Sequence, residues 1–245
     1  MKILDDLLST INNDYKVRDI RQGPYLTSVV SSGCGLATTP HNTSFHHDHF
    51  PIQETGMLHK KTAKELAALA YSKKQYEAAI GMAALNSLLD LDKTHFSLIN
   101  AADLIEENGR GKTVAIVGHF PFVERIRKTA KELHVLDKHP YEGDLDASKA
   151  HEVIPQAEVV AITGSAFINH TIEELLGLCQ RNTFIIVLGP STPLSTVLFD
   201  YGVHIICGTR VVDSEVVLRY ISQGATFRQM KGIELVAIEN YTERR

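Results

Sequence analysis

Four apolar runs in the second half of the chain each end on a glycine followed by polar residues. This pattern constrains the fold more than any other feature of the sequence. TVAIV at 113–117 runs into Gly118, residues 158–163 run into Gly164, FIIVL at 184–188 runs into Gly189, and residues 203–207 run into Gly208. Helical patterns alternate with these runs, and residues 233–238 read as a further strand. Continuously apolar strands that alternate with helices predict a parallel sheet covered on both faces. In open parallel sheets, ligands bind outside the carboxyl ends of the strands, near the point where the strand order reverses. His119, Thr163, Ser165, Asn169, Ser191, Thr192, Thr209, Arg210 and Asp213 are therefore expected to ring one crevice.

The first half reads differently. Residues 3–11 show an amphipathic helical pattern, and residues 17–20, 25–31 and 35–38 read as a small antiparallel meander. Residues 62–71 and 75–89 are helical, the second rich in small residues that allow close packing on a neighbour. Strands followed by helices make a segregated α+β unit. The expected division is a small α+β domain over 1–95 and a Rossmann-like domain over 96–245. A short helix at 101–108 precedes the first parallel strand. In that strand's turn, Pro121 opens a helical pattern of Phe122, Ile126, Ala130 and Leu133. Thr171 and Glu174 are spaced as a capping box.

Bulk properties exclude several function classes. A formal net charge of −4 argues against a general nucleic-acid binder. No apolar run is long enough to span a bilayer, and the opening MKILDDLLSTI does not read as a signal peptide. Cys34, Cys179 and Cys207 are odd in number and widely spaced, which suits a reduced, cytoplasmic protein. A homodimer is compatible with this architecture, with no interface marked in the sequence.

Several residues carry candidate chemistry. GHFPFV at 118–123 lacks the second and third glycines of a dinucleotide fingerprint, which argues against NAD. Asp137 lies where a Rossmann acid meets a ribose, so a nucleoside-bearing ligand such as S-adenosylmethionine stays open. The turn GPSTP at 189–193 reads either as an anion site at a helix start or as a plain Thr192 cap. Arg210 reads as an anion clamp or a surface arginine, and Asn86 as a cleft amide or a capping asparagine. His119, at a strand's carboxyl end, is the candidate acid or base. No nucleophile elbow, P-loop, HExxH or CxxC is present. Of the twelve histidines, His46, His47 and His49 invite a metal reading, but adjacent loop residues rarely all face one ion. A solvated loop, or one folded over the site, is the other reading.

Several of these motifs together resemble one family. They are GCGLA at 33–37, AIGMAALNSLL at 79–89, VGHFP at 117–121, TGSA at 163–166 with Asn169 and Thr171, LGPSTPL at 188–194, and Tyr201-Gly202 with CGT at 207–209. The chain resembles the putative heavy-metal-chelation domain family over nearly its whole length. The resemblance implies an enolase N-terminal-like domain, a Rossmann-like domain and a site between them. It also implies handling of a metal-chelating small molecule, with condensation or hydrolysis of a pterin-, flavin- or siderophore-like anion as the expected reaction. Alternatives are a non-catalytic sensor or carrier of a metal chelate, and an S-adenosylmethionine-dependent transferase. His119 is the expected catalytic residue. Asn86, Thr163, Ser165, Asn169, Gly189, Ser191, Thr192, Thr209 and Arg210 are expected to bind substrate, and Gly118 and Asp137 a cofactor. No cofactor and no metal ligand are assigned.

Overall fold

The computed structural model describes residues 1–40, 52–90 and 96–240. The His46–His49 run and part of the expected domain boundary lie outside these residues. Two sheets organise the chain, one of three strands ordered β1-β2-β3 and one of seven ordered β10-β9-β8-β7-β4-β5-β6.

The first half begins with α1 (Lys2–Ser9), whose Ile3, Leu4 and Leu7 are buried. Burial of each such side chain stabilises the fold by about 1.5–3 kcal/mol relative to exposure. The meander follows as β1 (Asp19–Gln22), β2 (Leu26–Val30) and β3 (Cys34–Thr38), paired antiparallel as expected. Next come α2 (Ala63–Ala67), extended by a 3-10 turn, and α3 (Gln75–Leu88). Val29 and Ala37 of the meander belong to the same core as α3. Its other face, with Leu26 and Leu36, meets Val217 and Ile221 from the second half of the chain. β2 is thus buried along its whole length. Its polar groups are satisfied locally: Thr27 hydrogen-bonds Thr39 at 2.9 Å, and Ser28 lies 3.3 Å from the Cys34 sulfur.

Small residues let α3 meet both β3 and the 3-10 turn after α2 backbone to backbone. A Cβ on Gly35 would lie 2.0 Å from the carbonyl oxygen of Ala83, and one on Gly81 would lie 2.0 Å from the amide nitrogen of Ala70. Any other residue would put a side chain into these gaps, so glycine is required by close approach.

The second half starts with α4 (Ala101–Gly109), capped by the Asn100 side chain. The strands β4 (Thr113–Val117), β5 (Glu132–Asp137), β6 (Leu145–Asp146), β7 (Val159–Thr163), β8 (Phe184–Leu188) and β9 (Ile205–Val211) run parallel. β10 (Ile233–Glu239) closes one edge antiparallel to β9. The helices are α5 (Val123–Arg127), α6 (Ala150–Val153), α7 (Ser165–Ile168), α8 (Ile172–Gly177) and α9 (Ser214–Ser222). Each central strand alternates between two cores. Val114, Ile116, Val159, Ala161 and Ile186 pack with Leu104 and Ile105 of α4. Ala115, Val160, Ile162, Val187 and Ile206 pack with α7, α8 and the core of the first half. That sharing explains the continuous apolar runs: both faces are dry. Among the described residues no helix is long and apolar enough to cross a membrane.

Three local expectations are corrected. The helix after Pro121 is short, because Leu133 pairs with Val114 as part of β5 instead of continuing the helical repeat. β9 runs on through Gly208, Thr209 and Arg210, because β10 pairs with it as far as Val211. Thr171 makes no side-chain cap to α8.

The chain builds β4, β5 and β6 outward in one direction, then returns to lay β7 against the other side of β4. This is the strand order of a doubly wound sheet, and its switch point lies between β4 and β7.

Candidate functional site in the crevice at the switch point

A cavity of about 1010 Å³ opens at the carboxyl edge of the large sheet. Its walls include the turns after β4 and β7, the β5–β6 loop, the Gly189-Pro190 turn and the Thr38–Pro40 end of the meander. Eight of the expected site residues line it: His119, Gly118, Asp137, Thr163, Ser165, Asn169, Gly189 and Thr209. The turn glycines do different work. Gly118 (φ +100°) and Gly189 (φ +112°) take left-handed conformations that other residues resist. Gly164 instead makes room, since a Cβ there would lie 2.5 Å from the Thr192 amide nitrogen.

His119 is gripped at three points by one loop. Its main-chain N–H donates to Asp137 Oδ2 at 3.0 Å. Its ring Nδ1 lies 2.7 Å from Asp144 Oδ2. Its ring stands 4.5 Å from that of Tyr141 at 49°. The Asp144 side chain is 2% exposed and that of His119 is 33% exposed, so the carboxylate is sealed behind a ring that reaches solvent. Asp137 also accepts the His139 N–H at 2.8 Å. Its two carboxylate oxygens therefore hold the loops on either side of the crevice mouth, in the position where a Rossmann acid meets a ribose.

On the opposite wall, Asn169 Oδ1 accepts a hydrogen bond from Gln75 Nε2 at 3.0 Å. That bond fixes the amide and turns its N–H₂ group away from Gln75. Thr163 Oγ1 accepts the Ser165 N–H at 3.3 Å. Thr209 Oγ1 is buried with no hydrogen-bond partner among the described residues. Phe120 and Phe122 stack at 5.1 Å and 13° on the β4 side. Lys138 and Arg228 line the cavity. Arg125 also lines it but is engaged, 2.7 Å from Asp103 and 2.5 Å from Glu106. His151 and Glu174 form an exposed pair at 3.0 Å. Cys207 is buried, and burial followed by the nearby charge of Glu239 pushes its thiol up to about 12.

Four expected binding residues lie elsewhere. Ser191 is fully buried and bonded to Thr38. Asn86 donates from Nδ2 to the carbonyls of Leu36 at 2.9 Å and Ser191 at 3.4 Å, so it joins the two halves of the chain. Thr192 is 2% exposed, and its hydroxyl has no partner among the described residues. The helical turn beyond it is a 3-10 segment, Thr196–Tyr201, capped by Ser195 rather than by Thr192. Arg210 sits directly across from Glu234 in the β9–β10 ladder and pairs with it at 3.0 Å. Asp213, also expected at the crevice, caps α9 by accepting the Val216 N–H at 3.0 Å.

Asp144, Gln75 and the Phe120–Phe122 stack belong to the site without having been expected there. Asp144 follows Gly143, whose φ is +88°, a turn signature legible in the sequence. Nothing in the chain ties that turn to a histidine 25 residues earlier.

Among the described residues no three His, Cys, Asp or Glu side chains come close enough to hold a metal ion. The described lining therefore does not fit a bare cation.

Comparison with known proteins covers nearly the whole chain. Residues 4–89 and 100–239 each match a family model described as putative heavy-metal chelation. An uncharacterized protein of Methanocaldococcus jannaschii is 24% identical over 238 residues, covering 93% of this chain and 91% of that one. A crystal structure of a protein of unknown function from Desulfitobacterium hafniense matches with a TM-score of 0.82 and 26% identity, covering 98% of this chain and 97% of the other. A second, from Pyrococcus horikoshii and also of unknown function, matches with a TM-score of 0.81 and 20% identity, covering 98% of each chain, and shows the same fold.

Proposed function

We propose that this chain, which belongs to the family described as putative heavy-metal chelation, binds a small organic anion of the metal-chelating kind in the crevice and exchanges a proton with it through His119. The observation that carries the proposal is the His119–Asp144 pair at the mouth of the cavity. A ring with one nitrogen held by a sealed carboxylate leaves its other nitrogen for a ligand. The rest of the lining supports an organic ligand. A space of about 1010 Å³ suits a molecule with several rings far better than an ion. The Phe120–Phe122 stack offers a flat apolar wall. Lys138 and Arg228 bring two positive charges to the lining, which favours a ligand with negative charge. Condensation or hydrolysis of a pterin-, flavin- or siderophore-like compound is the reaction class this reading names.

A panel of pterins, flavins and catecholate or hydroxamate chelators, each with and without ferric iron, tests it by calorimetry and by mass spectrometry of the products. The expected result is saturable binding of at least one member and turnover that His119→Ala abolishes while the melting temperature holds. Turnover unchanged in His119→Ala would remove the catalytic assignment.

Binding without consumption would instead support a carrier or sensor of a metal chelate. That second reading is favoured by His119 being the single acid–base group in the crevice that is backed by a buried partner among the described residues. An S-adenosylmethionine-dependent transferase has less support, because both oxygens of Asp137 already accept main-chain N–H groups.

A further inference from the structure

Asp144 is, we infer, the positioning residue of His119: it holds the proton on Nδ1 and so makes Nε2 the proton-accepting atom at the crevice. This rests on the reading of His119 as the acid–base group and names what governs it.

The assignment follows from which atoms can donate. Asp144 Oδ2 accepts the main-chain N–H of Tyr141 at 3.2 Å. The same oxygen faces His119 Nδ1 at 2.7 Å. A carboxylate has no proton to give, so a bond this short requires the proton on Nδ1. In the neutral ring Nε2 then carries the lone pair. The other tautomer would set two lone pairs against each other on a carboxylate shielded from water, since the Asp144 side chain is only 2% exposed.

The loop is built to keep that geometry. Asp144 is returned toward His119 by a turn in which its own N–H donates to the Tyr141 carbonyl at 3.0 Å. Gly143 supplies the left-handed residue of that turn, with φ +88°. Tyr141 lies against the imidazole face, and Asp137 fixes the His119 main chain. Asp137, Tyr141 and Asp144 thus restrain three different parts of one residue. When a ligand X–H group gives up its proton, the proton goes to Nε2, the electron pair stays on X, and the imidazolium formed is paired with the Asp144 carboxylate. No further reactant is needed.

The test needs no substrate. Imidazole nitrogen NMR on isotope-labelled protein, carried to the alkaline side until the nitrogen shifts no longer change, reads the tautomer of the neutral ring directly. The wild-type chain should show His119 protonated on Nδ1. Asparagine is not the variant to use, because its carbonyl could stay on the Tyr141 N–H and still accept from Nδ1. In Asp144→Ala Nδ1 has no acceptor, so the preference for a proton on Nδ1 should be lost and the Nε2–H form should become populated. A wild-type Nε2–H tautomer would overturn the inference, as would an unchanged tautomer in Asp144→Ala. The tautomer measurement on the wild-type chain stands even if the variant does not fold. A confirmed Nδ1–H tautomer with no ligand bound from the panel would count against the proposed function alone. A ligand turned over by a His119 that carries its proton on Nε2 would count against this inference alone.

Discussion

Thr38 and Ser191 hold each other across 153 residues of chain: the Thr38 N–H donates to Ser191 Oγ at 2.8 Å, and the Ser191 hydroxyl donates to Thr38 Oγ1 at 3.2 Å. The bond ties the last residue of β3 to the turn after β8. Asn86 reaches the same turn from α3 through the Ser191 carbonyl. One wall of the crevice, at Thr38–Pro40, is thus pinned to another, at Gly189-Pro190, by Ser191 and Asn86, which do not themselves line the cavity.

Ser191→Ala should therefore act on stability and not on the ligand. It leaves the part-buried Thr38 N–H without its acceptor, and a fully buried donor left so costs about 1–3 kcal/mol, which sets the upper bound here. The urea midpoint should fall by the corresponding amount with an unchanged slope. Affinity for a crevice ligand should stay within about twofold of wild type, a difference of about 0.4 kcal/mol, because Ser191 does not line the cavity. A large loss of affinity at unchanged stability would return Ser191 to the binding residues.

Three glycines separate close packing from mere chain freedom. Gly35→Ala and Gly81→Ala each drive a methyl group to 2.0 Å from backbone atoms of a neighbouring element. Backbone cannot swing aside as a side chain does, so each should cost at least about 3 kcal/mol, at the upper end of overpacking effects. Gly177 ends α8, and a Cβ there would meet nothing within 4 Å. Gly177→Ala should stabilise by about 0.4–1 kcal/mol through the unfolded chain. Chemical denaturation of the three variants side by side checks the contrast; equal effects at Gly35 and Gly177 would contradict it.

The large sheet was readable because each of its central strands is dry on both faces, and continuous apolar runs record that directly. The glycines at the strand ends marked the crevice for the same local reason: tight turns and close approaches need them. What depended on distant pairing was not readable. Arg210 looked like a residue just past a strand end, because nothing in its vicinity announces that β10 will pair antiparallel beside it. Ser191 and Asn86 carry polar groups suited to a ligand, and only the docking of the two sheets shows that they bind backbone instead. Asp144 was silent for the converse reason, since a turn aspartate becomes a histidine's partner only when the β5–β6 loop folds back over β4.

Arg210→Ala tests the corrected placement. The Arg210–Glu234 pair is a partly exposed cross-strand ion pair, with side chains 26% and 37% exposed. Such pairs contribute about 0–1 kcal/mol. The variant should lose no more than that in stability, and less at high salt. Binding of any crevice ligand should be unchanged in calorimetry, whereas an anion clamp would lose most of its affinity.

Two thiols and a hydrogen-bonded tyrosine should weaken the fold at alkaline pH. Burial pushes the Cys179 thiol up to about 12, and burial with the charge of Glu239 does the same for Cys207, each from an ordinary 9.0. Burial and the bond to Asp6 likewise raise Tyr201 from 10.0 to about 12. All three groups are neutral when protonated, and their folded values lie above their unfolded ones. Between those values the unfolded chain gives up protons that the folded chain keeps, so stability falls as pH rises. The contribution is fully present below about pH 9 and is lost progressively toward about pH 12. The melting temperature should hold level from neutral pH to about 9 and then decline steeply. Cys207→Ala should make that decline shallower, because one of the groups driving it is gone. A slope identical to wild type would show that Cys207 does not titrate as its burial implies. Iodoacetamide supplies an independent check at about pH 8, where the thiolate is the reacting species. A shift from 9.0 to about 12 lowers the thiolate fraction by about a thousandfold. Cys207 should therefore be labelled far more slowly in the folded chain than in urea, even though it lines the crevice.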